Sequence, residues 1–219
     1  MIWTNKFAYA VGLMTTDGNL SSDNRHMTFV SKDLDQINNL ISIFNIRSKI
    51  GQKIGGYSSV KRYYYIQFGN VKLYRSLIRL GLHPNKTKTL RELSIPDKYF
   101  GHFLRGHFDG DGYSYSYWDK RWRSSFMLYV GFLSASMTHI NWLYETILRL
   151  YRIKGVISSS KKQVYYLKFS KTSSLFLLEK MYFGKKIICL KRKRFKILKA
   201  LSIINKQNAG MLKLVDRHA

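Results

Sequence analysis

The chain is short of acid. Asp and Glu total 12 against 38 Lys and Arg in 219 residues, a net charge of +26. Charge on that scale costs stability through self-repulsion unless a polyanion offsets it. Nucleic acid is the favoured partner, with an anionic membrane surface a distant second. There is one cysteine, Cys189. It excludes an internal disulfide and a cysteine-based zinc site, and it points to a reducing, intracellular setting. No apolar run approaches the ~18 residues of a membrane span. The N-terminus lacks the charged-then-apolar layout of a signal peptide. The expectation is a folded intracellular protein with no membrane partner. Its Lys-, Ile-, Asn- and Tyr-rich usage suits a bacterial cytoplasm or an organelle matrix.

Proline is also scarce. Pro84 and Pro96 are the only two, and both fall near the middle of the chain. What is present in quantity is hydrophobic residue, 45%, enough for a packed core rather than disorder.

The chain repeats itself. "AYAVGLMTTDGNL" (8–20) is echoed by "FLRGHFDGDGYSY" (103–115), each a helix closing on Asp-Gly. "DQINNLISIF" (35–44) is echoed by "THINWLYETI" (138–147), and Ile66-Gln67-Phe68 by Leu167-Lys168-Phe169. Three matches in one order make a two-fold repeat. Each copy reads as helix, two strands, amphipathic helix, two strands, helix. Leu34, Ile37, Leu40, Ile41 and Phe44 share a helical face, as do Ile140, Leu143, Tyr144, Ile147, Leu148 and Tyr151. From Lys61 to Phe68 the pattern alternates, with Arg62, Tyr64, Ile66 and Phe68 on one side. A basic helix follows the second copy. The fold class expected is α+β, two pseudo-symmetric αββαββα repeats, each with an antiparallel sheet. The boundaries read are 1–83 for the first repeat, 84–98 for a linker and 99–204 for the second repeat. Residues 205–219 read as a polar tail, open to disorder. Both halves are basic: 14 Lys and Arg to 5 Asp and Glu over 1–95, and 24 to 7 over the remainder.

In each motif a small residue recurs at i and i+4: Gly12 with Thr16, and Gly106 with Gly110. That spacing lets two helices approach closely. Packed together, their C-terminal ends would bring Asp17 and Asp111 side by side. Helix C-termini already carry partial negative charge, so two carboxylates there call for a hard cation such as Mg²⁺. The bland reading of either Asp-Gly alone is a turn or a helix cap. "DGDGYS" as a calcium loop fails, because Ser114 stands where that loop needs glycine.

These paired motifs resemble those of the LAGLIDADG homing endonucleases. Ala10 to Gly18 fills the nine positions in the first copy and Leu104 to Gly112 in the second. Thr15 and Thr16 depart from the usual acidic-small pair, while Asp17-Gly18 is kept. The resemblance implies a monomer with saddle-shaped sheets, packed through the motif helices. It implies a long, nearly non-palindromic duplex DNA site, cut in both strands across the minor groove to leave short 3′ overhangs. The alternative is a non-cleaving binder on the same scaffold, an intron RNA maturase or a DNA-binding regulator.

By the resemblance, Asp17 and Asp111 would hold divalent metal, helped by the carbonyls of Thr16 and Gly110. The metal would be Mg²⁺, with Mn²⁺ as a substitute and Ca²⁺ binding without cleavage. Asp109 would serve the helix end or the interface. Lys86 and Lys191 would polarise water or steady transition-state charge. Ser31 or Lys32, and Ser134, would position water. DNA would lie on the sheets, with alternate side chains reaching base edges. Candidate contacts in the first half are Arg25, His26, Lys49, Lys53, Lys61, Arg62, Tyr64 and Gln67. In the second half they are Tyr115, Tyr117, Lys120, Arg121, Arg123, Lys161, Gln163, Tyr165 and Lys168. Two sheets, each following roughly one turn of ~10 bp, imply a site of about 20 bp. "KRKRFK" (191–196) reads as a phosphate-gripping helix start.

Overall fold

The computed structural model describes residues 2–55, 58–161, 163–184 and 186–215, with only the backbone path for 55, 58–62 and 208–215. The first copy runs α1 (Asn5–Thr16), β1 (Gly18–Leu20), β2 (His26–Ser31), α2 (Leu34–Phe44), β3 (Gly51–Gly55), β4 (Ser58–Gly69) and α3 (Val71–Arg79). The second runs α4 (Phe100–Asp111), β5 (Tyr113–Trp118), β6 (Phe126–Ser134), α5 (Met137–Tyr151), β7 (Val156–Ser159), β8 (Tyr165–Phe169) and α6 (Lys171–Tyr182). A last helix, α7 (Lys191–Val215), continues through much of the stretch that reads as a polar tail. The two antiparallel sheets have matching strand orders, β1-β2-β4-β3 and β5-β6-β8-β7. The αββαββα order expected from the sequence is the order observed.

Asparagine and serine start the later helices. Asn70 caps α3 by accepting from the Leu73 amide, and Ser136 caps α5. Asn45 and Arg152 end α2 and α5 in the left-handed region. The amphipathic helices lie on one face of each sheet. Ile37 and Leu40 are buried with Phe29 and Ile66 on one side; Leu143 and Ile147 are buried with Leu167 and Phe169 on the other. Fully burying such side chains contributes roughly 1.5–3 kcal/mol each.

α1 and α4 are buried nearly all round and form the centre of the molecule. They run parallel. At their starts the Trp3 and Tyr99 rings stack at 5.7 Å, and Tyr99 Oη donates to the Trp3 carbonyl at 3.0 Å. At their ends a Cβ on Gly110 would collide with the Thr16 side chain and come within 2.9 Å of Asp17 Oδ2. Midway, a Cβ on Gly106 would fall on the Tyr9 carbonyl, and one on Gly12 on the Phe103 carbonyl. Nothing but hydrogen fits at either place, which is why both positions are glycine.

The linker is tied to the second repeat. Ser136 Oγ donates to the Leu90 carbonyl, and His139 Nδ1 lies 3.0 Å from the Arg91 carbonyl. A carbonyl can only accept, so His139 carries its proton on Nδ1 and offers Nε2 to His107 Nε2, 3.1 Å away. His107 Nδ1 is then a buried acceptor with no partner among the described residues. Burial lowers both imidazole pKa values, His139 to about 4.

Two predictions follow from this packing. Gly106→Val should cost about 3 kcal/mol or more by overpacking, read as a lowered Tm, or prevent folding. The histidine pair binds protons more weakly folded than unfolded. Its contribution is therefore complete above about pH 6.5 and is lost as pH falls towards 4. Denaturant titrations at pH 6.5 and pH 4 should isolate this contribution as the difference between the unaltered protein and His139→Gln, which should change by on the order of 3 kcal/mol across that window.

Candidate active site at the paired helix ends

The two parallel helices end together, so their unsatisfied carbonyls and both terminal carboxylates share one region. Asp17 caps α1, its amide donating to the Leu13 carbonyl at 3.0 Å, and Asp111 is the last residue of α4. Burial and the neighbouring Asp111 push the Asp17 pKa up to about 7. Burial raises that of Asp111 against the pull of Lys193 and Lys86. The pair titrates as a unit, because both carboxylates are costly to ionise together here.

Two lysines answer this charge, one per repeat. Lys86 Nζ donates to the Gly18 carbonyl. Lys193 Nζ donates to the carbonyls of Phe108 at 2.6 Å, Gly110 at 2.9 Å and Gly112 at 2.6 Å. Gly18 and Gly112 are the same motif position, so the arrangement repeats about the pseudo-two-fold. Burial lowers each ammonium pKa to about 8, with the aspartates opposing.

Lys191 is not at this site. It is exposed at the first position of α7, and only its backbone amide is engaged, donating to Asp35 Oδ2 at 3.1 Å. Two residues along a helix turn the side chain by ~200°, so Lys193 faces inward where Lys191 faces out. Lys193 lies on the stripe of Ile197, Ala200 and Ile204, all buried. That stripe was the sequence signal for choosing it.

Two clefts flank the helix ends. One, of about 280 Å³, brings Asp17 to Gly110 beside Ser31, Lys32, Gln36 and Arg192. The other, of about 200 Å³, brings Asp111 to Thr16 beside Lys86, Thr87 and Ser134. Each therefore joins the aspartate of one repeat to the preceding motif position of the other. The first is bounded by a forked ion pair, Arg192 to Asp33 at 2.7 and 2.8 Å, and by Ser31 Oγ donating to Gln36 Oε1 at 2.6 Å. In the second, Ser134 Oγ accepts from the Ser136 amide at 3.1 Å.

Asp109 also borders the first cleft, but its side chain belongs to a different set of contacts. Its carboxylate accepts from Tyr9 Oη at 2.9 Å, Tyr182 Oη at 2.6 Å and the Leu190 amide at 2.6 Å. Gln36 Nε2 donates to its carbonyl at 2.8 Å. Burial raises its pKa against these donors. Arg105, one turn earlier, covers the Tyr9 ring at 5.2 Å and donates to the carbonyls of Ile188 and Met181. The first copy has Val11 and Thr15 at these two places, so this network exists once.

A divalent cation fits the donor set in part. Two carboxylates and neighbouring carbonyls are hard oxygen donors. Among the described residues no three His, Cys, Asp or Glu side chains gather. The remaining positions would fall to water and phosphate, as is usual for Mg²⁺. Gly110 O already accepts from Lys193 and has one lone pair left to offer.

The sheet faces sort the nucleic-acid candidates. His26, Lys53 and Gln67 are on the outer face of the first sheet, with Lys32, whose ammonium lies 5.4 Å from the Tyr63 ring. Arg25 and Lys49 are exposed beside it. Tyr64 is not on that face. It alternates with Ile66 and Phe68 and packs on the core, while Tyr63 and Tyr65 face out. The Lys61 and Arg62 side chains lie outside the described residues. In the second sheet Tyr115, Tyr117 and Lys168 face out. Tyr165 packs on the core with Leu167 and Phe169, and Tyr166 takes the outer place. Lys120, Arg121 and Arg123 are exposed on the 119–125 hairpin loop, and Lys161 and Gln163 on the turn before β8.

No family model matches the chain, and no curated protein matches it by sequence. Solved structures do share its fold. Full-length DUF199/WhiA from Thermatoga maritima matches with a TM-score of 0.60 at 12% identity, over 100% of this chain and 68% of that one. The homing endonuclease I-WcaI, bound to its DNA recognition sequence, gives 0.58 at 11%, over 82% and 83%. I-DmoI in complex with DNA and Ca gives 0.56 at 16%, over 88% and 97%. The N-terminal LAGLIDADG domain of DUF199/WhiA also matches, at 0.55 and 14% identity. The chain has the LAGLIDADG fold.

In the metal-free protein the paired aspartates contribute a loss of stability that grows as pH rises from about 4 to 7, opposite in sign to the histidine pair, because the folded state holds a proton the unfolded chain has lost. Asp17→Asn should then gain on the order of 2–4 kcal/mol at pH 7.5 and nothing at pH 4, by thermal melting in chelator. Millimolar Mg²⁺ should raise the Tm of the unaltered protein and raise that of Asp17→Asn less.

Proposed function

We propose that the protein is a site-specific, divalent-metal-dependent endonuclease of duplex DNA. The observation that carries this reading is the pairing of Asp17 and Asp111 at two parallel helix ends, each beside its own lysine. A stabilising role alone does not explain it, since two partly buried carboxylates at two negative helix ends oppose folding. The net charge of +26 supports a polyanionic partner. The match to DNA-bound homing endonucleases supports the same reading at the level of the fold.

In this reading Asp17 and Asp111 hold the cation, with the carbonyls of Thr16 and Gly110 as further donors. When bound, Mg²⁺ would supply Lewis-acid stabilisation of the phosphodiester oxygens. Lys86 and Lys193 hold positive charge where negative charge develops on phosphate, and their pKa values of about 8 let them exchange protons near neutrality. Ser31, Lys32 and Gln36 in one cleft, and Ser134 and Thr87 in the other, orient water. The two clefts serve one strand each. The outer sheet faces bind the duplex on either side, over about 20 bp.

A non-cleaving DNA-binding protein is the second reading, favoured by the match to WhiA over the whole chain. One assay separates the two. Purified protein with Mg²⁺ should cut members of a randomised duplex library in both strands. Asp17→Asn or Asp111→Asn should abolish cutting and keep binding within a few-fold. Lys193→Met should lower the cleavage rate at least 100-fold, while Lys191→Met changes it less than about fivefold. Selection of bound duplexes with no cutting under Mg²⁺ or Mn²⁺ would leave the second reading.

A further inference from the structure

The outer faces of the two sheets are chemically unlike each other. Both begin at a cleft. In the first, Lys32 and Tyr63 border the cleft at Asp17, and the strands lead outward past Gln67 and His26. In the second, Leu133 borders the cleft at Asp111, and the strands lead outward through a set of tyrosines. Their rings stand stacked on one another. Tyr115 lies 6.3 Å from Tyr113, 6.2 Å from Tyr117 and 5.0 Å from Tyr129, all within 17° of parallel. Tyr166 meets Tyr113 edge-on at 6.4 Å.

Stacking uses up the ring faces, so the ladder is not a platform for unpaired bases. It presents ring edges and hydroxyls. The Tyr117 and Tyr129 rings also stack, at 6.1 Å and 13°. The one cation on this face among the described strand positions, Lys168, lies 4.3 Å from the Tyr129 ring and 5.2 Å from that of Tyr115. Met127, Leu133, Val156 and Ser158 take the other side-chain-bearing strand positions on this side.

Base-edge chemistry makes this face selective. Guanine is read by Arg or Lys, adenine by Asn or Gln, cytosine by carboxylates, and thymine by apolar contact with its methyl group. Among the described strand positions this face has no Arg, Asn, Gln, Asp or Glu; its lysine, Lys168, is turned onto the Tyr129 and Tyr115 rings, and Ser158 lies in the Leu133 row, outside the ladder. Hydrocarbon edges match only the thymine methyl. The first sheet's Gln67, Lys53 and His26 match the other edges. We infer that the tyrosine ladder of the second sheet determines specificity for a thymine-rich run in one half of the duplex site, read through the methyl groups. This rests on the duplex-DNA reading above. The ladder runs from the Gly131 row to the Met127 row, four residues or ~13 Å, which corresponds to about four base pairs.

The test begins with selection of duplexes bound by the full chain from a randomised library. One half of the selected site should carry a thymine-rich run of about four pairs, the other a mixed sequence. Thymine is then replaced by deoxyuridine, which removes only the methyl. Binding should weaken about fourfold per methyl in that half and much less in the other. In Tyr117→Ser and Tyr115→Ser, thymine and deoxyuridine sites should bind alike, with the melting temperature held near that of the unaltered protein. Selected sites that are G·C-rich in both halves would overturn the inference, as would indifference to deoxyuridine or discrimination that survives both variants. Failure to select any duplex at all would instead overturn the DNA reading beneath it.

Discussion

The structure depends on how closely α1 and α4 approach. Gly12 and Gly106 each meet a backbone carbonyl of the opposite helix, so the axes are held together by the absence of side chains. Both helices run the same way, and close parallel contact brings two negative helix ends to one place. The aspartates make this worse, and Lys86 and Lys193 offset it by binding the carbonyls that follow each helix. Without the glycine contacts there would be no shared site, only two separate helix caps.

Around this centre the two repeats have diverged. The second motif helix carries Arg105 and Asp109, whose contacts reach α6 and the start of α7. The first has Val11 and Thr15 there and makes no such network. One cleft is bordered by the Arg192–Asp33 pair and Gln36, the other by threonines, with the paired histidines packed behind its linker. One sheet shows polar and basic groups outward, the other tyrosines. Pseudo-symmetry therefore describes the backbone and the aspartates with their lysines, while the outer sheet faces differ.

Most of the architecture was legible, because a repeat doubles every signal. The αββαββα order, the motif helices and the amphipathic faces of α2 and α5 could all be read from spacing. The side-chain choices were less secure, and for identifiable reasons. Tyr64 and Tyr165 alternate with buried apolar residues, so the period that placed the strands also assigned both to the core. Choosing them for DNA set residue type above that pattern. Lys193 lies among several basic residues, and only the helix start at Lys191 and the buried stripe below it single it out.

The sequence by itself determined the repeat, the element order, the excess of positive charge and the two Asp-Gly helix ends. These are properties of local spacing and composition, and each is complete within a few dozen residues. Only the tertiary structure decided that the Asp109 carboxylate bonds Tyr9 and Tyr182, that Lys193 rather than Lys191 reaches α4, and that the tyrosines form one stacked ladder. Each joins residues far apart in the chain, and the angle at which a helix or strand presents its side chains is set by what it packs against.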